Sequence, residues 1–205
     1  AKHNPKILFE PNTKWEYSNT GYAFLASIIE KVSGLSYGDY LQKAIFKPLE
    51  MNNTFVYTRR FAPKKISNYA FGYIYSDSLK KYILPDELEE TKMVIWLDGI
   101  VGDGTVNSTV NDLLKWDRAL YTEKLVSSES KKEIFSAVEL NNKPKRDYGF
   151  GWALSDDETY GKIVNHSGGW PGYKTLIERH IDNDKTIIVL QNHESVSTTK
   201  LFAYL

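Results

Sequence analysis

Apolar residues recur at Leu25, Ile28, Ile29 and Val32, the i, i+3, i+4, i+7 spacing that lays four side chains along one stripe of an α-helix. Gly34 stands where such a helix would end, so the pattern predicts a helix starting just after Asn19. Ser36, with Asp39 three residues on, has the form of a capping box. It predicts a second helix through about Ile45, which Pro48 cannot continue. From about residue 52 to 98 aromatics, lysine pairs and turn residues follow one another without a period, which predicts irregular chain with short strands or turns. Thr109 and Asp112 form another box before "DLLKWDRAL", where Leu113, Leu114, Trp116 and Leu120 fall near one helical face. A further helix is predicted over "SESKKEIFSAV".

From Tyr148 the pattern changes. The runs "YGFGWALS", "KIVNHS", "YKTLIERHI" and "KTIIVLQN" are short, rich in β-branched or aromatic residues, and divided by Asp, Asn, Gly and Pro clusters. They predict three or four antiparallel strands, with "IDNDKT" as the hairpin loop between the last two, and "STTKLFAYL" as a terminal helix. Helices followed by strands indicate an α+β fold in which helices pack on an antiparallel sheet. The expected organisation is a single domain over 1–205, mainly helical or irregular over 1–145, with the strands and terminal helix of the sheet over 146–205.

Composition adds exclusions. With 26 basic and 26 acidic residues there is no basic excess to suit nucleic acid or an anionic membrane. The absence of cysteine removes disulfides, thiolate metal sites and thiol nucleophiles together. No run of about 18 apolar residues is present to span a membrane. No metal-ligand spacing such as H-E-x-x-H occurs, so His3, His180 and His193 read as surface or structural residues, and neither a metal nor a cofactor is expected. The glycine-rich stretch 99–104 fits neither phosphate-loop pattern, although it could line a cleft.

Two clusters remain as candidate chemistry. Tyr17-Ser18-Asn19 sits at the entrance of the first predicted helix, and His166-Ser167-Gly168-Gly169, followed by Trp170, closes the strand "KIVNHS". Each has a plain reading. A tyrosine there is as readily a half-buried packing residue with its hydroxyl satisfied, a His-Ser-Gly triplet is as readily a turn, and Trp170 serves equally in a core or as a pocket wall. Acyl transfer, however, needs a nucleophile, a base to take its proton and an acid for the leaving group. A tyrosine oxygen can serve as both base and acid if cations stabilise its anion.

In order and spacing these segments resemble the penicillin-recognising serine enzymes, whose three elements are S-x-x-K, S-D-N and K-T-G. The branch resembled is that of class C β-lactamases, D-alanyl-D-alanine carboxypeptidases and serine esterases, in which Tyr-x-Asn replaces S-D-N and a histidine can replace the lysine of K-T-G. "FEPNTKWEYSNTGYAFLASIIEKVSGLSYGDYLQKAIFKPLEMNNT", "DGTVNSTVNDLLKW", "YGFGW" and "HSGGWPGYKT" are similar to family segments across nearly the whole chain. The resemblance implies a β-lactamase/transpeptidase-like fold. It also implies catalytic roles for Tyr17, Asn19 and His166, with Ser167, Gly168, Gly169 and Trp170 binding substrate. The Gly169 N–H would form half of an oxyanion hole.

The sequence departs from the family at the nucleophile. Sixteen residues precede Tyr17 and none is serine. The S-x-x-K matches at Ser78, Ser128 and Ser197 all lie downstream, and composition alone gives about 1.6 such matches by chance. The chain also starts without Met, charged leader or apolar leader, as a cut would. The expectation is therefore an incomplete domain, lacking the family's N-terminal helix and strands and the nucleophile, and inactive on its own. It would leave a sheet edge open to self-association or to a complementing N-terminal segment. A peptide or small molecule is the expected substrate, attacked at an amide, ester or β-lactam bond. His166, unlike a lysine, carries no permanent charge for a carboxylate, which shifts weight from β-lactams toward esters and D-amino-acid or small acyl substrates. The alternatives are a catalytically deficient module that binds peptides or small ligands, and an interaction domain. A periplasmic or extracytoplasmic location follows only by family analogy.

Overall fold

The computed structural model describes residues 6–58, 64–142 and 145–193. Helix α1 (Asn19–Ser33) starts where the pattern places it: Ser18 is the N-cap, its Oγ accepting from the Gly21 N–H. Gly34, left-handed at φ 71°, ends it. Helix α2 (Tyr37–Leu41) keeps one half of its box, Ser36 Oγ accepting from the Asp39 N–H at 3.1 Å, while Asp39 Oδ2 accepts from the Ser36 hydroxyl at 2.6 Å rather than from the Ser36 N–H. It runs into a π-turn over Gln42–Phe46 that stops before Pro48.

The middle of the chain has the predicted short elements. Strand β1 (Phe55–Val56) pairs with β4 (Val106–Asn107), and β2 (Ile74–Ser76) with β3 (Lys81–Ile83). A short helix not read from the sequence, α3 (Met93–Trp96), lies between β3 and β4. Helix α4 (Val110–Ala119) keeps half of the expected box. Thr109 Oγ1 accepts from the Asp112 N–H, but the Asp112 carboxylate turns inward to the Asn53 N–H and the Thr54 hydroxyl. Burial pushes the Asp112 pKa up. The bonds from Asn53, Lys115 and Thr54 outweigh this and leave it below the usual carboxylate range. Of the predicted α4 face, Leu120 is buried while Leu114 is exposed. Helix α5 (Ser128–Ile134) and a small hairpin of β5 (Val138–Glu139) with β6 (Lys145–Arg146) lead to the sheet.

Four antiparallel strands form that sheet in the order β10-β9-β8-β7: β7 (Ala153–Asp157), β8 (Gly161–Trp170), β9 (Tyr173–His180) and β10 (Lys185–Gln191). The α+β reading holds. Strand β7 starts five residues later than "YGFGWALS" suggests, because the two glycines of that run make a tight loop. The Gly149 N–H bonds back to the Trp152 carbonyl, and a Cβ on Gly149 would lie 2.0 Å from the Ile134 carbonyl oxygen. The predicted terminal helix over 197–205 lies outside the described residues.

Two apolar clusters meet at Trp116. Leu41, Phe46, Leu49, Met51 and Ala119 form one, Leu120, Trp152 and Val164 the other, and Trp116 stacks on Trp152 at 5.8 Å. An ion network ties α4 to the sheet beside them. Asp117 on α4 accepts from Arg179 Nε on β9 at 2.5 Å and from Arg118 Nε at 2.7 Å, and Arg118 continues to Asp184 and Thr186. Asp117 and Arg179 are fully buried, and the Tyr121 ring lies 4.6 Å from the Arg118 guanidinium and 4.8 Å from that of Arg179.

The largest departure is α1. Three of the four stripe residues face out, with Leu25, Ile28 and Val32 between 50% and 83% exposed; Ile29 is half-buried, the neighbouring Phe24 is also exposed, and Ala26 is the buried residue of the helix. The helix packs through its other side on Gly102, where a Cβ would lie 2.5 Å from the Tyr22 carbonyl oxygen and 2.6 Å from Ala26 Cβ. The glycine-rich stretch thus supports α1 from behind.

Candidate active site

Tyr17 immediately precedes the N-cap of α1, so the helix start fixes where its ring can reach. His166 lies in mid-β8, 149 positions later. The fold brings the two together, with ring centroids 6.1 Å apart and planes tilted 31°. A third ring joins them. Tyr148, held by the glycine loop, stands edge-on to Tyr17 at 6.3 Å and places its hydroxyl 3.0 Å from His166 Nε2. Trp15 packs on Tyr148 at 5.2 Å, the two ring planes tilted by 54°. Tyr22 reaches from α1 to the same loop, its hydroxyl 3.2 Å from where a Cβ on Gly151 would be.

Trp15, Glu16, Tyr17, Tyr22, Leu25 and Tyr148 line a cleft of about 360 Å³, and His166 lies outside that lining. Tyr17 is half exposed at its mouth. Burial pushes the Tyr148 pKa up, to about 12, with the neighbouring Tyr22 and Tyr17 hydroxyls adding to the effect. Burial, then Tyr17, also raises that of Tyr22. Both hydroxyls therefore keep their protons at neutral pH.

Strand pairing explains the other predicted residues. Strand β7 pairs with β8 only as far as Ala153 opposite Asn165, whereas β9 stays paired to β8 through Trp170 opposite Tyr173. Residues 166–170 therefore overhang β7 and, among the described strands, are open on that side. Ser167, Gly168, Gly169 and Trp170 are all exposed there. Gly168 is required by a close approach, since a Cβ on it would lie 2.3 Å from the Thr175 hydroxyl. Pro171 and Gly172, the latter at φ 84°, make the turn that returns the chain into β9. Asn19 is exposed in the first position of α1, two residues from Tyr17. Trp170 lies at the hairpin end of the strand, outside the lining of the Tyr17 cleft.

Of the downstream S-x-x-K matches, Ser78 bonds Ser76, and the Lys131 ammonium bonds the Thr122 carbonyl. Ser197 lies outside the described residues. Among the described residues no cluster of three or more His, Asp or Glu is placed to hold a metal, and no helix is long and apolar enough to cross a membrane.

The beta-lactamase family profile matches residues 3–203. The chain belongs to the beta-lactamase family. This family of serine hydrolases includes penicillin-binding proteins, and the chain is 55% identical to penicillin-binding protein 4* of Bacillus subtilis over 186 residues, 91% of this chain and 41% of that protein. Among solved structures, the octameric penicillin-binding protein homologue from Pyrococcus abyssi superposes with a TM-score of 0.77 at 28% identity, covering 96% of this chain and 43% of that one. The D-amino acid amidase from Ochrobactrum anthropi SV3, complexed with L-phenylalanine amide, does so with a TM-score of 0.70 at 25% identity, covering 90% and 53%. This beta-lactamase-family chain thus spans about two-fifths to one-half of these relatives. Trp15, Tyr22 and Tyr148 were not singled out from the sequence. The available signal was "YGFGW" itself, whose two glycines mark a turn and which therefore places its tyrosine on a loop.

Proposed function

We propose that this chain carries the second and third elements of a serine acyl-transfer site, and that the nucleophilic S-x-x-K is supplied from outside it. The observation that carries the reading is the convergence of Tyr17 and His166 beside the open edge of residues 166–170. A serine Oγ attacks the carbonyl carbon of an amide, ester or β-lactam. Its proton passes to Tyr17, made basic by the lysine of S-x-x-K, and Tyr17 then returns that proton to the leaving nitrogen or oxygen as the C–N or C–O bond breaks. The Gly169 N–H faces the developing oxyanion, and Asn19 orients the substrate carbonyl or amide. Water then cleaves the acyl-serine ester. The aromatic cleft favours an apolar or aromatic acyl group, and a histidine in place of a permanent cation favours esters and amides of D-amino acids or small acids over β-lactams.

A fluorophosphonate probe with peptide mapping tests this. No serine of this chain alone should be labelled, while the full-length product of its gene should be labelled at an S-x-x-K serine upstream of the residue equivalent to Tyr17. Labelling of Ser78, Ser128 or Ser197 in this chain overturns the assignment of the nucleophile. An unlabelled full-length product replaces the enzyme with a binding module.

The exposed α1 stripe supports a second part of the reading, that the S-x-x-K segment covers it and that copies of this chain associate when that segment is absent. Burying each such side chain is worth about 1.5–3 kcal/mol, so four of them offer an apolar patch whose burial favours association against its entropic cost. Light scattering after size exclusion should show a mass that rises with concentration. A monomer across the whole range counts against it.

A further inference from the structure

The contact between the Tyr148 hydroxyl and His166 Nε2, 3.0 Å long, is the one hydrogen bond that structurally connects the glycine loop to the open strand edge of the site among the described side chains. A phenol hydroxyl donates readily, and the bare nitrogen of a neutral imidazole accepts readily, so the pair is best satisfied as O–H···N. The proton is available, because burial and the neighbouring hydroxyls keep Tyr148 in its neutral form. The direction is held by packing. Trp15 and Tyr17 flank the Tyr148 ring, and Gly149 is pressed against the end of α5 with no room for a side chain.

We propose that Tyr148 is a positioning residue that donates to Nε2 of His166, fixing the neutral imidazole in the tautomer protonated on Nδ1. In that tautomer His166 offers a single N–H, on Nδ1. This is matched to the carbonyl of an ester or amide and poorly matched to a carboxylate, which gains most from a cation. The catalytic meaning of the tautomer rests on the acyl-transfer reading; the tautomer itself does not.

Long-range ¹H–¹⁵N NMR of the imidazoles of this chain at pH 9, well above the ordinary histidine range, reads the state directly. In the native chain His166 Nε2 should show a pyridine-like ¹⁵N shift and Nδ1 a pyrrole-like one. In Tyr148→Phe, which keeps the ring, the Nε2 signal should move toward the pyrrole-like range. In Tyr17→Phe, which removes a hydroxyl that does not touch Nε2, it should stay in place. A pyrrole-like Nε2 in the native chain overturns the proposal, even if Tyr148→Phe fails to fold. So does an unchanged tautomer in a folded Tyr148→Phe variant. A confirmed tautomer together with a full-length product that no acyl probe labels removes the acyl-transfer reading and leaves the positioning role intact.

Discussion

Replacing Asp117 with alanine is expected to lower the unfolding free energy by about 3–5 kcal/mol, the cost of stranding a buried charge whose partner has been removed. Arg179 has no access to water, and Asp117 accepts its Nε at 2.5 Å. Without the carboxylate, the guanidinium keeps the Asp117 backbone carbonyl at 3.3 Å and the surrounding aromatic faces, none of which supplies a negative charge. Arg118 is affected less, because it is partly exposed and retains Asp184. The loss should therefore track Arg179. A double variant, Asp117→Ala with Arg179→Met, should recover most of it, since removing both members of a buried pair is often nearly neutral. Denaturant unfolding of the three variants at one low protein concentration checks this. A single-variant loss below about 1 kcal/mol, or a double variant no more stable than the single, removes the network from its role of tying α4 to the sheet.

What the sequence made legible follows how local each signal is. Gly34, Ser36 and Thr109 specify helix ends through side-chain and backbone bonds that span three or four residues, and those ends were readable, whereas the Ser18 cap of α1 was found in the structure. Strand hairpins with turn residues between them were readable for the same reason. The direction in which α1 faces was not readable. Its stripe of Leu25, Ile28, Ile29 and Val32 has a core-facing period, but the fold leaves Leu25, Ile28 and Val32 outward with Ile29 half-buried, and packs Ala26 and the Tyr22 backbone on Gly102. Periodicity states that a face is apolar, and only tertiary context states what covers it. Asp112 was misassigned by the same kind of error, since a residue three positions after a cap can close a box or be captured by a distant Asn53 N–H. In the site, Tyr17 and His166 were accessible through motifs in family order. Tyr148 entered through a loop conformation set by Gly149 and Gly151, which no hydrophobic pattern encodes.

Tyr17→Phe in the full-length product is expected to reduce kcat for an ester or amide substrate by about 10²–10⁴, the range for losing a positioned general acid–base group, with KM changed little. The reasoning separates the ring from its oxygen. The ring forms the wall shared with His166 and Tyr148 at 6.1 and 6.3 Å, and phenylalanine preserves that contact, so substrate should bind nearly as before. Tyr17 is half exposed, and in the proposed mechanism its oxygen carries the proton transfers, so the loss should fall on the chemical step. Tyr17→Ala removes both and should raise KM as well, because the flanking rings lose their packing partner. Single-turnover measurements give the sharper comparison. If Tyr17 both accepts the nucleophile's proton and protonates the leaving group, the rate of acyl-enzyme formation must fall in Tyr17→Phe even for esters with good leaving groups. If it only protonates the leaving group, such activated esters should acylate at nearly the native rate while amides do not. A Tyr17→Phe variant that retains more than about one-third of native kcat on an amide, with its fold intact, would leave Tyr17 as part of the cleft wall and transfer the search for the base to another group.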